Sequence, residues 1–194
     1  MSPFCSLSRA NKHAVLVLLW FLPLLFLCTR AELFILLSAI LLHEGGHLAA
    51  FALTGEPCPR LFAVLFGLTF EPVRPLPYRK ELWIALAGPL ANLALALPTL
   101  FVSEASLPLA ALAAVHLFTA LCNLLPIGGS DGARALFAVL ALTLPLGAAE
   151  RIFALLSRLS LAVLAFALFY LLLSPGGGGA LLLLLSLVAR AATR

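Results

Sequence analysis

Residues 31–53, AELFILLSAILLHEGGHLAAFAL, contain the five residues on which the chain turns: His43-Glu44-Gly45-Gly46-His47. On an α-helix two histidines four residues apart lie on one face, near enough for both imidazoles to bind one metal ion. The glutamate beside the first histidine is the usual base for the water that such a metal activates. Alone, His-Glu-x-x-His is a weak signal. Here it interrupts a hydrophobic run from Ala31 to Leu53, where ionisable side chains are costly and by default mark function. That cost weighs against two merely structural histidines.

The composition agrees with this setting. The chain has 194 residues, 63% of them hydrophobic and 10% charged, with a mean hydropathy of +1.15. A soluble globular chain does not have these values. Several apolar runs approach the roughly 20 residues that a bilayer-spanning helix requires. The reading is an all-α polytopic membrane protein, a single domain over residues 1–194 with no room for an appended soluble domain. Arg9 and Lys12 precede an apolar run, but no convincing small-x-small site follows, so a cleaved signal peptide is not expected. Cys5, Cys28, Cys58 and Cys122 are scattered without a Cys-x-x-Cys and read as small apolar packing residues. The net charge is +4, yet the basic residues form no patch, so nucleic acid is not an expected partner.

Taken outward from the motif, the chain divides into about six spans. The first runs from Ala14 to Cys28, and the second carries the histidines. Pro57 to Lys80 is rich in proline and arginine and contains Leu61 to Phe70, LFAVLFGLTF, apolar but too short to span as a helix. Its Phe, Val and Thr content, with Gly67 inside, suits a bent strand or a re-entrant β-hairpin packed against the bundle. The third span is Leu82 to Val102, and the fourth Leu107 to Leu125, ended by the helix breaker Pro126-Ile127-Gly128-Gly129. Ala133 to Ala149, broken by Pro145, is open between a span and a helix along the surface. A polar patch, Glu150 to Arg158, precedes a fifth span at Leu159 to Leu173, and Ala180 to Ala192 makes the last. With both termini cytosolic, eleven of the twelve Lys and Arg face inward and only Arg30 faces out. The expected location is a bacterial cell membrane. His43 and His47 then lie roughly 15 and 9 Å below the cytosolic end of their helix.

A catalytic zinc takes three protein ligands and leaves one position open. Asp131, the only aspartate in the chain, lies just beyond the Pro126 break on the side of the histidines and is the expected third ligand. A cap for the helix from Gly132 onward is its alternative role. His116 sits deeper, and a lone membrane histidine more often makes an interhelical hydrogen bond. Glu56 and Glu71 belong to the loop and read as solvated.

His43-Glu44-Gly45-Gly46-His47 in the second span, with Asn123-Leu124-Leu125-Pro126 and Asp131-Gly132 after the fourth, resembles the site-2 protease family of intramembrane metalloproteases. Gly88-Pro89 and Asn92 resemble a small-residue motif of the same family. The likeness covers a catalytic core of about residues 31–134. It implies zinc bound by His43, His47 and Asp131, with Glu44 as general base and Asn123 holding the substrate. Two positions depart from the family pattern: Ser130 stands where an aliphatic residue is common, and Ala133 where a second glycine is. No PDZ-like or CBS-like domain fits in this length.

The function expected is an intramembrane zinc endopeptidase that cuts a transmembrane or membrane-proximal segment near the cytosolic face. An extended substrate segment would pair with the Leu61 to Phe70 region, Phe66 among its binding residues. The expected partners are a membrane-anchored protein substrate, the lipid bilayer and a regulatory membrane protein. The competing reading is a membrane metal carrier or sensor without hydrolysis, which would require further ionisable steps across the bilayer.

Overall fold

A computed structural model of the chain describes residues 29–57, 59–64, 67–102 and 106–173. Helix α1, Arg30–Leu53, starts at a capping box. Thr29 Oγ1 accepts from the Glu32 backbone N–H, and a Glu32 carboxylate oxygen accepts from the Thr29 N–H. Such a cap contributes about 1 kcal/mol. Ile35, Ala39, His43, His47, Ala50 and Phe51 form its buried stripe, so the two histidines share a face with packing residues. Phe34, Leu37, Leu41 and Leu48 cover the remaining faces and are exposed. A helix apolar all round belongs in hydrocarbon.

Two strands follow, β1 (Arg60–Val64) and β2 (Gly67–Glu71), paired antiparallel with Arg60 opposite Glu71 and Val64 opposite Gly67. The expected hairpin is therefore present, but it pairs mainly with itself. Among the described residues its backbone contacts are chiefly between its own two strands. The side chain of Phe66 lies outside the described residues. Glu56, expected in water, is instead buried (8% exposed). Two cations make that burial tolerable: Lys80 Nζ at 2.5 Å and Arg74 Nη2 at 2.9 Å. Lys80 also donates to the Thr54 carbonyl at the end of α1, tying the loop to the helix it leaves.

Helix α2, Tyr78–Val102, is the centre of the bundle. It packs on α1, on α3 (Leu107–Leu124) and on α4 (Asp131–Thr143). Small residues let these backbones approach: Ala85, Gly88 and Ala96 of α2 and Ala113 and Ala120 of α3 are buried. At Gly46 of α1 a Cβ would collide with the Ala87 backbone of α2. Ala50 and Phe51 of α1 close on Ile84 of α2 in an apolar cluster.

Helix α4 is 13 residues, about 20 Å, too short to cross a bilayer core of about 30 Å. It ends at Leu144, before Pro145. Helix α5 runs unbroken from Leu146 to Leu173, so the polar patch Glu150 to Arg158, expected ahead of a fifth span that starts at Leu159, is part of the same helix. Charge alone does not interrupt a helix when the side chains face outward, and Glu150 and Arg151 are exposed. Ser157 of α5 donates to the Pro126 carbonyl and anchors the helix to the break after α3. Three described helices, α1, α2 and α3, are long and apolar enough to cross a membrane. The expected first and sixth spans lie outside the described residues.

Candidate metal centre

The helical spacing of α1 brings the two imidazoles together, with His43 Nε2 and His47 Nε2 3.2 Å apart. Asp131 completes the group: its Oδ2 lies 3.0 Å from His43 Nε2 and 3.1 Å from His47 Nε2. All three side chains are nearly buried, at 5%, 4% and 9% exposed. The chain bends twice to deliver that carboxylate. After α3, Leu125 leaves helical geometry and Gly129 takes φ +88°, a conformation that favours glycine. Ser130 then caps α4, its Oγ accepting from the Ala133 N–H at 3.1 Å and donating to the Leu125 carbonyl. Asp131 is thus not the cap. It is the first residue of α4, where the positive end of the helix dipole favours its charge. Ser130 explains its own departure from the aliphatic pattern, because the polar side chain holds both sides of the break.

The other oxygen of Asp131, Oδ1, lies 3.4 Å from Arg134 Nη1, and Arg134 Nε donates to Glu81 Oε1 at 2.7 Å. One carboxylate oxygen is thereby engaged by a cation and the other faces the histidines. Two glycines make the room. A Cβ on Gly88 would strike the His47 and His43 imidazoles, and one on Gly132 would strike the Leu124 backbone.

The donor set fits a divalent metal. The Ile84 carbonyl can only accept, so His47 Nδ1, 2.7 Å away, carries the proton and donates. In the neutral ring Nε2 of His47 is then a bare lone pair, and it faces the anionic Oδ2 of Asp131. Acceptors this close require a cation or a proton between them. Ligands held about 2.0 Å from a tetrahedral zinc lie about 3.3 Å from each other, close to the spacing seen here. His43, His47 and Asp131 are the metal-ligand group found among the described residues.

Glu44 follows His43 on α1 and is half-buried. Asn123, near the end of α3, donates from Nδ2 to the Thr119 carbonyl at 3.0 Å and lies outside the ligand group. His116, the alternative ligand, also lies outside it, fully buried in interhelical hydrogen bonds. Its Nε2 is 3.1 Å from Ser38 Oγ of α1 and its Nδ1 is 3.0 Å from Asn92 Oδ1 of α2. Asn92 also reaches back, with Nδ2 3.4 Å from His43 Nδ1. The sequence singles out each member of this group, whereas Ser38 and Arg134 are ordinary polar residues with no motif of their own.

No protein-family model and no curated protein matches the sequence. Among solved structures the chain is similar to the site-2 protease from Methanocaldococcus jannaschii, with 19% identity and a TM-score of 0.60 over 94% of this chain and 85% of that one. The chain therefore has the fold of that site-2 protease.

Proposed function

We propose that this protein is an intramembrane zinc endopeptidase that cuts a transmembrane or membrane-proximal segment of a membrane-anchored protein near the cytosolic face. The observation that carries the reading is the convergence of His43, His47 and Asp131 at 3.0–3.2 Å on a helix apolar enough to cross a membrane. A zinc ion bound there supplies a Lewis acid for the scissile carbonyl and a water of lowered pKa. Glu44, adjacent to the ligands yet not one of them, takes the proton from the attacking water and returns it to the leaving amine. The buried walls keep bulk water out, which strengthens every charge interaction inside.

A helical substrate cannot be cut while its amides are bonded internally, so the segment must unwind. Among the described residues no further strand pairs with the two-stranded sheet β1–β2, and an edge strand takes an extended peptide by backbone pairing. Phe66 at the hairpin and Asn123, whose amide oxygen has no partner among the described residues, are the proposed contacts to that strand.

The carrier reading is disfavoured by His116. This ionisable side chain, fully buried between the described helices, is closed into hydrogen bonds with Ser38 and Asn92 instead of lining a path. The experiment reconstitutes the full chain in liposomes with a membrane-tethered reporter. Cleavage that a chelator stops and zinc restores is the expected result. Zinc entry into the liposomes without cleavage would replace the protease by the carrier.

A further inference from the structure

Four polar side chains join three helices in a line that ends on a metal ligand: Ser38, His116, Asn92 and His43. Its first member is tied to a group of fixed character. Ser38 Oγ lies 2.7 Å from the Ile35 carbonyl, which can only accept, so the single hydroxyl proton of Ser38 goes there. Ser38 Oγ must then accept from His116 Nε2, 3.1 Å away. That gives His116 the Nε2–H tautomer and leaves its Nδ1 an acceptor. A doubly protonated His116 would escape this logic, but a side chain 0% exposed among apolar helices does not hold an unpaired charge.

The group facing His116 Nδ1 must accordingly be a donor. Asn92 has one amide with two ends of nearly the same shape, whose assignment follows from the hydrogen-bond network. With Oδ1 toward His116, two conflicts arise together: acceptor meets acceptor at His116, and Nδ2 forces His43 to place its proton on Nε2, where a bound metal needs a lone pair. Turning the amide by half a rotation removes both. Asn92 Nδ2 then donates to His116 Nδ1, and Asn92 Oδ1 accepts from His43 Nδ1–H.

We propose that Ser38, His116 and Asn92 form a directed hydrogen-bond chain from the Ile35 carbonyl that holds His43 in the Nδ1–H tautomer, so that His43 Nε2 is a lone pair aimed at the metal. These are positioning residues; none touches the site where the reaction occurs. His47 obtains the same tautomer by a shorter route, its Nδ1–H donating to the Ile84 carbonyl at 2.7 Å. Both imidazoles are thereby oriented before any metal arrives. An outer partner of this kind fixes ring orientation and raises ligand basicity, and its loss typically costs about 10–100-fold in metal affinity.

The inference rests on the metal reading of the site, and its tests separate the two. Ring-nitrogen NMR of histidine in the wild-type, metal-free protein in detergent micelles reads the tautomers directly. His116 is expected as Nε2–H and His43 with a proton on Nδ1, whatever its Nε2 shares with Asp131 in the absence of metal; a proton on His116 Nδ1 together with a bare His43 Nδ1 would overturn the proposal, whatever the protein does with zinc. Zinc affinity by chelator competition supplies the second readout. Asn92→Leu and His116→Leu should weaken zinc by about 10–100-fold. His116→Gln, able to accept from Asn92 and donate to Ser38, should recover most of that loss. Wild-type affinity in both leucine variants, or a glutamine variant as weak as the leucine one, would refute the chain. A wild-type protein that binds no zinc at all would instead remove the metal reading, and the tautomers would still decide the relay.

Discussion

His43, His47 and Asp131 were legible from the sequence because the chemistry resides in their residue types. An ionisable group in a hydrophobic span has few explanations, and the chain has one aspartate to offer. Ser38, Asn92 and His116 were not legible as a unit, since Ser38 and His116 are 78 positions apart and only helix packing joins them. Gly88 illustrates the same limit. In the sequence it is a small residue beside Pro89; in the structure it is the space into which both imidazoles fit. Alanine is favoured over glycine in a helix by about 1 kcal/mol, so Gly88→Ala should not weaken the metal-free protein much. Its Cβ should nonetheless displace His47 and His43. Thermal melting with and without zinc checks this: the metal-free midpoint should hold while the rise on adding zinc disappears. A normal zinc-dependent rise would mean that the site tolerates the methyl group.

At the scale of elements, apolar length located α1, α2 and α3 well, and the Pro126 break located the start of α4. Polarity misled twice. Glu150 to Arg158 reads as a polar patch ahead of the fifth span but belongs to α5, because exposed charges do not break a helix as proline does. Glu56 reads as solvated, yet Lys80 and Arg74 from the far side of the hairpin make its burial possible, and no local pattern announces partners 24 and 18 residues away. The Lys80 ammonium, with the Arg74 guanidinium, holds the Glu56 carboxyl below its usual range. A carboxylate with a lowered folded pKa stabilises the fold above its unfolded value of about 4.3, and that contribution is lost as pH falls towards the folded one. Wild-type melting temperature should therefore drop on acidification below about pH 4.3, and Glu56→Gln should lower the neutral-pH value and flatten this part of the profile. An unchanged acid profile in Glu56→Gln would assign the effect to other groups. The hairpin that Glu56 precedes carries a second expectation. Val64→Pro removes a backbone donor from β1 and should slow reporter cleavage several-fold with zinc content retained. Cleavage at the wild-type rate would relieve the hairpin of any role in pairing with substrate.

The described residues form a small-residue bundle built around α2, with the candidate ligands brought to it by α1 on one side and by α4, through a bent connection, on the other. This division of labour explains why the motif alone is insufficient. Two histidines come from one helix by spacing, but the third ligand depends on the α3–α4 break closing against α1. Hydrolysis then requires one group that the metal does not need. Glu44→Gln keeps the size and polarity of the side chain and removes its ability to accept a proton. The decisive measurement is zinc per purified chain alongside cleavage of a membrane-tethered reporter, for wild type, Glu44→Gln and Asp131→Ala. Wild type should carry about one zinc per chain and cleave, Glu44→Gln should carry the same zinc without turnover, and Asp131→Ala should do neither. Cleavage by Glu44→Gln at the wild-type rate would contradict the protease mechanism, and full zinc in Asp131→Ala would contradict the metal centre.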